Sequence, residues 1–166
     1  MDSNTSLPKP IEFNRELGIN QELLEDGLYL FDKPAGISSF GAVYEVRKVL
    51  KDKFEKKVKV GHCGTLDPIA TGLLILVSGK LTKRAGELTK MDKIYLAEAT
   101  LGSSSDTYDS EGTISPVSSR KPSLSEVKTQ LIKFQGVSEQ TPPSFSAIKI
   151  NGQRAYKLAR DGKEVK

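Results

Sequence analysis

The chain has 166 residues, 37% hydrophobic, 28% charged and 7% aromatic, enough for one compact core and too apolar for wholesale disorder. One cysteine and one histidine exclude an intramolecular disulfide, a cysteine zinc cluster and a His/Cys metal site, and the longest aliphatic run, Leu73–Val77, falls far short of a membrane span. The net charge of +4 divides unevenly: residues 1–26 carry −4 and residues 27–166 carry +8, a basic body suited to a polyanion such as nucleic acid, although a merely soluble basic protein fits that charge equally well.

The N-terminus lacks the basic stretch and apolar core of a secretory signal, so with so few metal-ligating residues a cytoplasmic, cofactor-poor protein is the expectation. Residues 1–26 read as a polar, acidic extension, with one weak helix near Gln21–Leu24. Leu28-Tyr29-Leu30-Phe31 then reads as a strand closed by the turn Asp32-Lys33-Pro34-Ala35-Gly36. Ser38 or Ser39 can cap a helix whose apolar positions Ala42, Val43, Val46, Val49 and Leu50 follow helical spacing. Its far side and the loop beyond carry Arg47, Lys48, Lys51, Lys53, Lys56, Lys57 and Lys59. These are candidate phosphate contacts or simply a solvated face.

Val58–Val60 reads as a short strand before the dense turn Gly61-His62-Cys63-Gly64-Thr65-Leu66-Asp67-Pro68, and Leu73–Val77 as a buried strand after it. A short helix is expected from Thr82 through Leu88, and Lys93–Leu101 alternates like a strand. Ser103–Gly112 reads as polar loop, in which Asp106 and Asp109 are turn formers rather than metal ligands. Ser123-Leu124-Ser125-Glu126 fits a capping box ahead of the stripe Leu124, Val127, Leu131 and Phe134. Pro142-Pro143 breaks the chain. Ala147–Ile150, Asn151-Gly152 and Gln153 onward give a hairpin signal with a type I′ turn, and Ala155–Arg160 a helix ended by Gly162. The sum is an α+β pattern, helices interrupting a mixed, mostly antiparallel sheet.

The turn at 61–68 holds two glycines, a proline, the only histidine and an aspartate within eight residues. An aspartate before proline is pushed toward extended backbone, which makes Asp67 a candidate reactive carboxylate on a rigid loop. Spacing alone favours the other reading, an Asx-turn aspartate that only satisfies backbone amides.

The segment Gly61–Gly72 closely resembles the catalytic loop of the TruB family of tRNA pseudouridine synthases, and Leu30–Ser39 resembles that family's first motif. Lys93-Ile94-Tyr95 is similar to the strand bearing its active-site tyrosine, while Pro143–Lys149 and Ala155–Arg160 resemble two later segments in the expected order. The resemblance covers residues 27–166, read as the N-terminal part of the catalytic domain behind the extension 1–26.

It implies the pseudouridine synthase fold and isomerisation of uridine to pseudouridine in RNA, at uridine 55 of the tRNA T-loop, by base flipping and without metal or cofactor. On the matching positions it implies Asp67 as the catalytic residue, acting either as nucleophile on the ribose C1′ or by removing a ribose proton to give a glycal. Tyr95 stacks on the flipped base, His62 helps wedge the T-loop open, and the Lys33-Pro34 pair supports the floor of the site. Lys149, Tyr156 and Arg160 complete the substrate-binding set, with Arg154 and Lys157 as further phosphate candidates. Cys63 is read as packing.

The partner implied is the tRNA T-arm, the complete protein a monomer, and no membrane is involved. Family members are longer, and a later Lys-Gly-Thr-Tyr-Ile-Arg-type segment with a second tyrosine and an arginine partner for the aspartate is absent here. The fold is therefore expected to be incomplete in this chain. Two other readings are an inactive RNA-binding fragment and a guide-RNA-dependent enzyme acting on rRNA.

Overall fold

The computed structural model describes residues 7, 10–13, 22–139, 149–150, 152–155 and 158, with backbone alone at 149, 150 and 154. The chain divides into two compact units, Met1–Ile94 and Tyr95–Lys166.

The first unit is built on a four-stranded sheet, in which β1 (Ile11–Phe13), β2 (Leu28–Lys33), β4 (Gly72–Ser78) and β3 (Val60–His62) lie side by side in that order. β2 and β4 pair antiparallel from Leu28↔Val77 to Lys33↔Gly72, and β3 pairs antiparallel with β4 from Val60↔Ser78 to His62↔Leu76. β1 runs parallel to β2, Ile11 beside Tyr29 and Phe13 beside Phe31. The acidic extension thus supplies an edge strand. The helix expected near Gln21–Leu24 is not present: Glu22–Leu24 have no regular structure and Glu25-Asp26 form a turn, while Gln21 lies outside the described residues.

Backbone and charge hold that turn in place. The buried Ser78 hydroxyl donates to the Glu25 carbonyl (2.6 Å) and accepts from the Gly27 amide (2.8 Å). Tyr29 Oη donates to the Leu24 carbonyl, the Asp26 carboxylate accepts from the Lys80 amide (2.7 Å), and Lys56 pairs with Glu25 at 2.7 Å.

Helix α1 (Ser39–Phe54) connects β2 to β3. Ser38 is its cap, the side chain accepting from the Gly41 amide at 3.0 Å, and Glu55 closes it in the left-handed region. Ala42, Val43, Val46 and Leu50 bury the inner face against Tyr29, Phe31, Leu74 and Leu76, with Ile11, Phe13, Val58 and Val60 completing the cluster. Alternation along the strands sends Leu28, Ile75 and Val77 to the opposite face. There they pack with Cys63, Leu81 and Leu88, the last two from a 3-10 turn (Gly79–Arg84) and the short helix α2 (Ala85–Thr89). That pair of elements starts three residues before the expected Thr82. β4 is not buried throughout, because Leu73 at its start is 61% exposed.

Beyond α2, two expectations are corrected. Residues 92–100 form no strand, and Ile94 and Leu96 are fully exposed. An alternating sequence becomes a strand only when a neighbour takes its amides and carbonyls, and none of the described residues does so here. In place of an unbroken polar loop, β5 (Ser103–Ser105) pairs antiparallel with β6 (Ile114–Pro116) around a turn in which Asp106 accepts from the Thr113 amide and Asp109 from the Glu111 amide. Helix α3 (Leu124–Leu131) begins with the expected capping box between Ser123 and Glu126, but buries none of its residues. β7 (Lys149–Ile150) and β8 (Gln153–Arg154) form the expected hairpin, and Ala155 and Leu158 are helical. Pro142, Pro143, Asn151 and Gly162 lie outside the described residues.

Candidate active site

The loop from Cys63 to Thr71 joins β3 to β4 and carries Asp67. Gly64 (φ 128°) and Gly72 (φ 109°) bracket it, both in backbone territory that side chains with a Cβ rarely occupy. Inside the bracket, Pro68 follows Asp67 at the first central position of a turn closed by the Ala70 amide on the Asp67 carbonyl (3.1 Å).

Both neighbours of Asp67 are anchored to the stretch from the end of β2 to the start of α1. The Pro68 carbonyl accepts from the Gly36 amide at 2.8 Å and from Lys33 Nζ at 3.3 Å. Leu66 is held on the other side: the buried Ser39 hydroxyl accepts from its amide at 2.8 Å and donates to its carbonyl at 2.9 Å. Asp67 itself is exposed, and among the described residues no group hydrogen-bonds its carboxylate. The Asx-turn alternative therefore fails, since such a turn would occupy the carboxylate with local amides.

Lys33 is completely buried beneath this loop, its ammonium donating to the carbonyls of Pro34 (2.9 Å), Ile37 (2.8 Å) and Pro68. Burial pushes its pKa below the usual lysine value, and the charge of Asp67 opposes that shift. Lys33 is thus a support, its donors spent on backbone. His62 ends β3, half-buried, with Nδ1 at 2.6 Å from the Gly64 carbonyl. A carbonyl only accepts, so Nδ1 carries the proton and Nε2 is left as an acceptor in the neutral ring. Cys63 is buried among Leu28, Val77, Leu81 and Leu88, and burial raises its thiol pKa, so it packs.

Lys33, His62 and Asp67 belong to the first unit. Tyr95 opens the second and is 66% exposed. Lys149 lies on β7, with its side chain outside the described structure, and Tyr156 and Arg160 lie outside the described residues altogether. In the basic cluster, Arg47 is engaged, donating to the Val60 carbonyl (3.2 Å) with its guanidinium 5.8 Å from the Phe40 ring centre, whereas Lys48, Lys51, Lys53, Lys57 and Lys59 are exposed. Sequence reading passed over the Ser39–Leu66 pairing. Its only signal was the second serine of Ser38-Ser39, left over once the first had capped the helix.

No helix among the described residues is long and apolar enough to cross a membrane. Residues 47–166 match the family described as TruB family pseudouridylate synthase (N terminal domain). The chain is 45% identical over 141 residues to the tRNA pseudouridine synthase B of Endomicrobium trichonymphae, covering 84% of this chain and 59% of that protein. It is 45% identical over 139 residues to the enzyme of that name from Ruegeria sp. (strain TM1040), covering 84% and 44%, and 43% identical over 150 residues to that of Protochlamydia amoebophila, covering 90% and 55%. The chain spans about half the length of these curated relatives. With the family motif folded into an anchored loop that presents a bare carboxylate, and with these matches over most of its length, the chain belongs to the TruB family of pseudouridylate synthases.

Proposed function

We propose that this chain is the N-terminal part of the catalytic domain of an enzyme that converts uridine to pseudouridine in tRNA, at uridine 55 of the T-loop, with residues 1–26 as its acidic extension. The observation that carries the reading is Asp67: an exposed carboxylate free of hydrogen bonds from the described residues, on a loop anchored through Leu66 and Pro68. A base held in a folded T-loop must leave its stack to reach a protein carboxylate, at a cost of a few kcal/mol recovered from protein contacts. The ionised Asp67 then acts at the ribose, as nucleophile on C1′ or as base toward a glycal, and the N1–C1′ bond breaks. The detached uracil turns and a C5–C1′ bond forms, either as the Asp67–C1′ ester bond breaks or, on the glycal route, as the abstracted proton returns to the ribose, so Asp67 ends as it began. N1 ends with a proton and the proton of C5 goes to solvent, so product is an isomer of substrate and no redox partner is needed.

Tyr95 stacks on the flipped base, which restrains free uracil without bonding it. His62 organises the T-loop through its free Nε2, and Lys149, Tyr156 and Arg160 complete substrate binding, while the exposed lysines of 48–59 meet phosphates. The setting is the cytoplasm and the complete enzyme a monomer.

The test is tritium release from C5-labelled uridine in an unmodified T-arm transcript. Release by this chain that disappears in Asp67→Asn, with RNA binding kept, is the expected result; equal release from both proteins would overturn the assignment. A second reading has one observation in its favour, the chain's span of about half its relatives' length. It holds that these residues alone bind RNA without completing the chemistry, and binding without release would select it.

A further inference from the structure

We propose that Ser39 is a positioning residue for Asp67, its hydroxyl serving as a latch on the peptide groups either side of Leu66. The inference rests on the reading of Asp67 as the catalytic carboxylate. Ser39 occupies the first turn of α1, is 3% exposed, and uses its hydroxyl twice on one residue 27 positions away: Oγ accepts from the Leu66 amide (2.8 Å) and donates to the Leu66 carbonyl (2.9 Å). Neither bond serves the helix, which Ser38 already caps on the Gly41 amide. A single side chain here does what a neighbouring strand would do, fixing donor and acceptor of one residue together.

The consequence falls on the next residue. With Leu66 latched and the Pro68 carbonyl tied to Gly36, the Cα of Asp67 is fixed from both sides, and its carboxylate keeps only its two side-chain torsions. No other described group holds that carboxylate, so its aim depends on the backbone beneath it. Removing the latch frees the loop by the fraction of an ångström that a reacting geometry does not tolerate.

Ser78 provides the control. Its buried hydroxyl likewise makes two hydrogen bonds, donating to the Glu25 carbonyl and accepting from the Gly27 amide, at the far end of β4 and about 20 Å along that strand from Gly72. Ser78→Ala should cost stability as Ser39→Ala does, without touching the loop.

The experiment compares the wild-type chain with Ser39→Ala, Ser39→Cys, Ser78→Ala and Asp67→Asn in two readouts. Amide hydrogen exchange at Leu66 should quicken in Ser39→Ala by about tenfold or more and stay unchanged in Ser78→Ala. Single-turnover tritium release from the T-arm transcript should fall by about 10- to 100-fold in Ser39→Ala, less in Ser39→Cys, which keeps the volume and weakens both bonds, and not at all in Ser78→Ala, with RNA affinity unchanged throughout. Unchanged exchange at Leu66, or wild-type release from Ser39→Ala, overturns the proposal. A fall in release that Ser78→Ala reproduces also overturns it, since the effect would then be stability alone. Release that survives in Asp67→Asn, or is missing from the wild type, instead strikes the underlying reading of Asp67, and the exchange at Leu66 still decides whether the latch exists.

Discussion

The ammonium of Lys33 donates to the carbonyl of Pro68 at 3.3 Å, so the last residue of β2 grips the residue that follows Asp67. A fully buried lysine is expensive unless its donors are used, and here all three reach carbonyl oxygens, of Pro34, Ile37 and Pro68. Lys33→Met keeps the apolar stem but takes the ammonium from the Pro34 and Ile37 carbonyls and leaves the Pro68 carbonyl with the Gly36 amide alone. It should lower stability by about 1–3 kcal/mol in urea titration with an unaltered slope; a midpoint equal to wild type would show that water replaces the ammonium. Asp67→Asn should push the Lys33 pKa further down, because the charge that opposes the effect of burial is gone.

Alkaline stability should report on Cys63. Burial raises its pKa above 9.0, so above pH 9 the unfolded chain gives up a thiol proton that the folded chain keeps. Its contribution is fully present below about pH 9 and is lost as pH climbs through the folded value. Tyr29, raised above 10.0, acts in the same sense one step higher. Lys33, lowered from 10.5, acts oppositely: its unfolded form holds more protons just below that value, so folding gains there with rising pH. Urea midpoints of wild type and Cys63→Ala, followed from pH 7 to 11, should converge above about pH 9. Parallel curves would contradict the burial.

Tyr95→Leu separates site from scaffold. The ring is 66% exposed, so folding stability should change by about 0.5 kcal/mol or less, while tritium release should fall by about 10- to 100-fold, the worth of one stacked base. Loss of stability with wild-type release would return the tyrosine to packing.

Helix α3 buries none of its residues, so its persistence depends on local terms. Ser123 caps it by accepting from the Glu126 amide, and Glu126 accepts in return from the Ser123 amide and is met by Arg120. Ser123→Ala should cost about 1 kcal/mol, visible as faster amide exchange across Leu124–Leu131. No change there would mean that other contacts hold the helix.

What the sequence disclosed, and what it hid, follows the range of the interaction concerned. A serine cap at 38 or 39, the apolar stripe of α1, the Ser123 capping box and the hairpin beside Gly152 are decided within a few residues, and each was legible, the structure choosing Ser38 as the cap. Asp67 was legible as a residue set on a rigid loop, though its lack of local hydrogen bonds needed coordinates. β1 was not legible, because three residues of alternation mean little until Tyr29 and Phe31 lie beside them. Residues 93–101 read as a strand from their pattern, and periodicity says nothing about whether a neighbour is there to pair with. β5 was hidden in Ser103-Ser104-Ser105, a run with little strand preference of its own that pairing with Ile114–Pro116 overrides. The Ser39–Leu66 pairing spans 27 residues, beyond any local rule.

The register of β2 against β4 also sets an order of events. Lys33 faces Gly72 across the sheet, and all of α1, β3 and the Asp67 loop lie between them in the chain. That loop cannot close on Gly36, Lys33 and Ser39 until two strands far apart in sequence have met, a slow step because the entropy of the intervening chain is lost before the pairing compensates it. α1 can nucleate early on its own cap, whereas the Asp67 carboxylate acquires its address last. Substitutions that loosen the loop should therefore leave the refolding rate nearly untouched and appear almost wholly as faster unfolding.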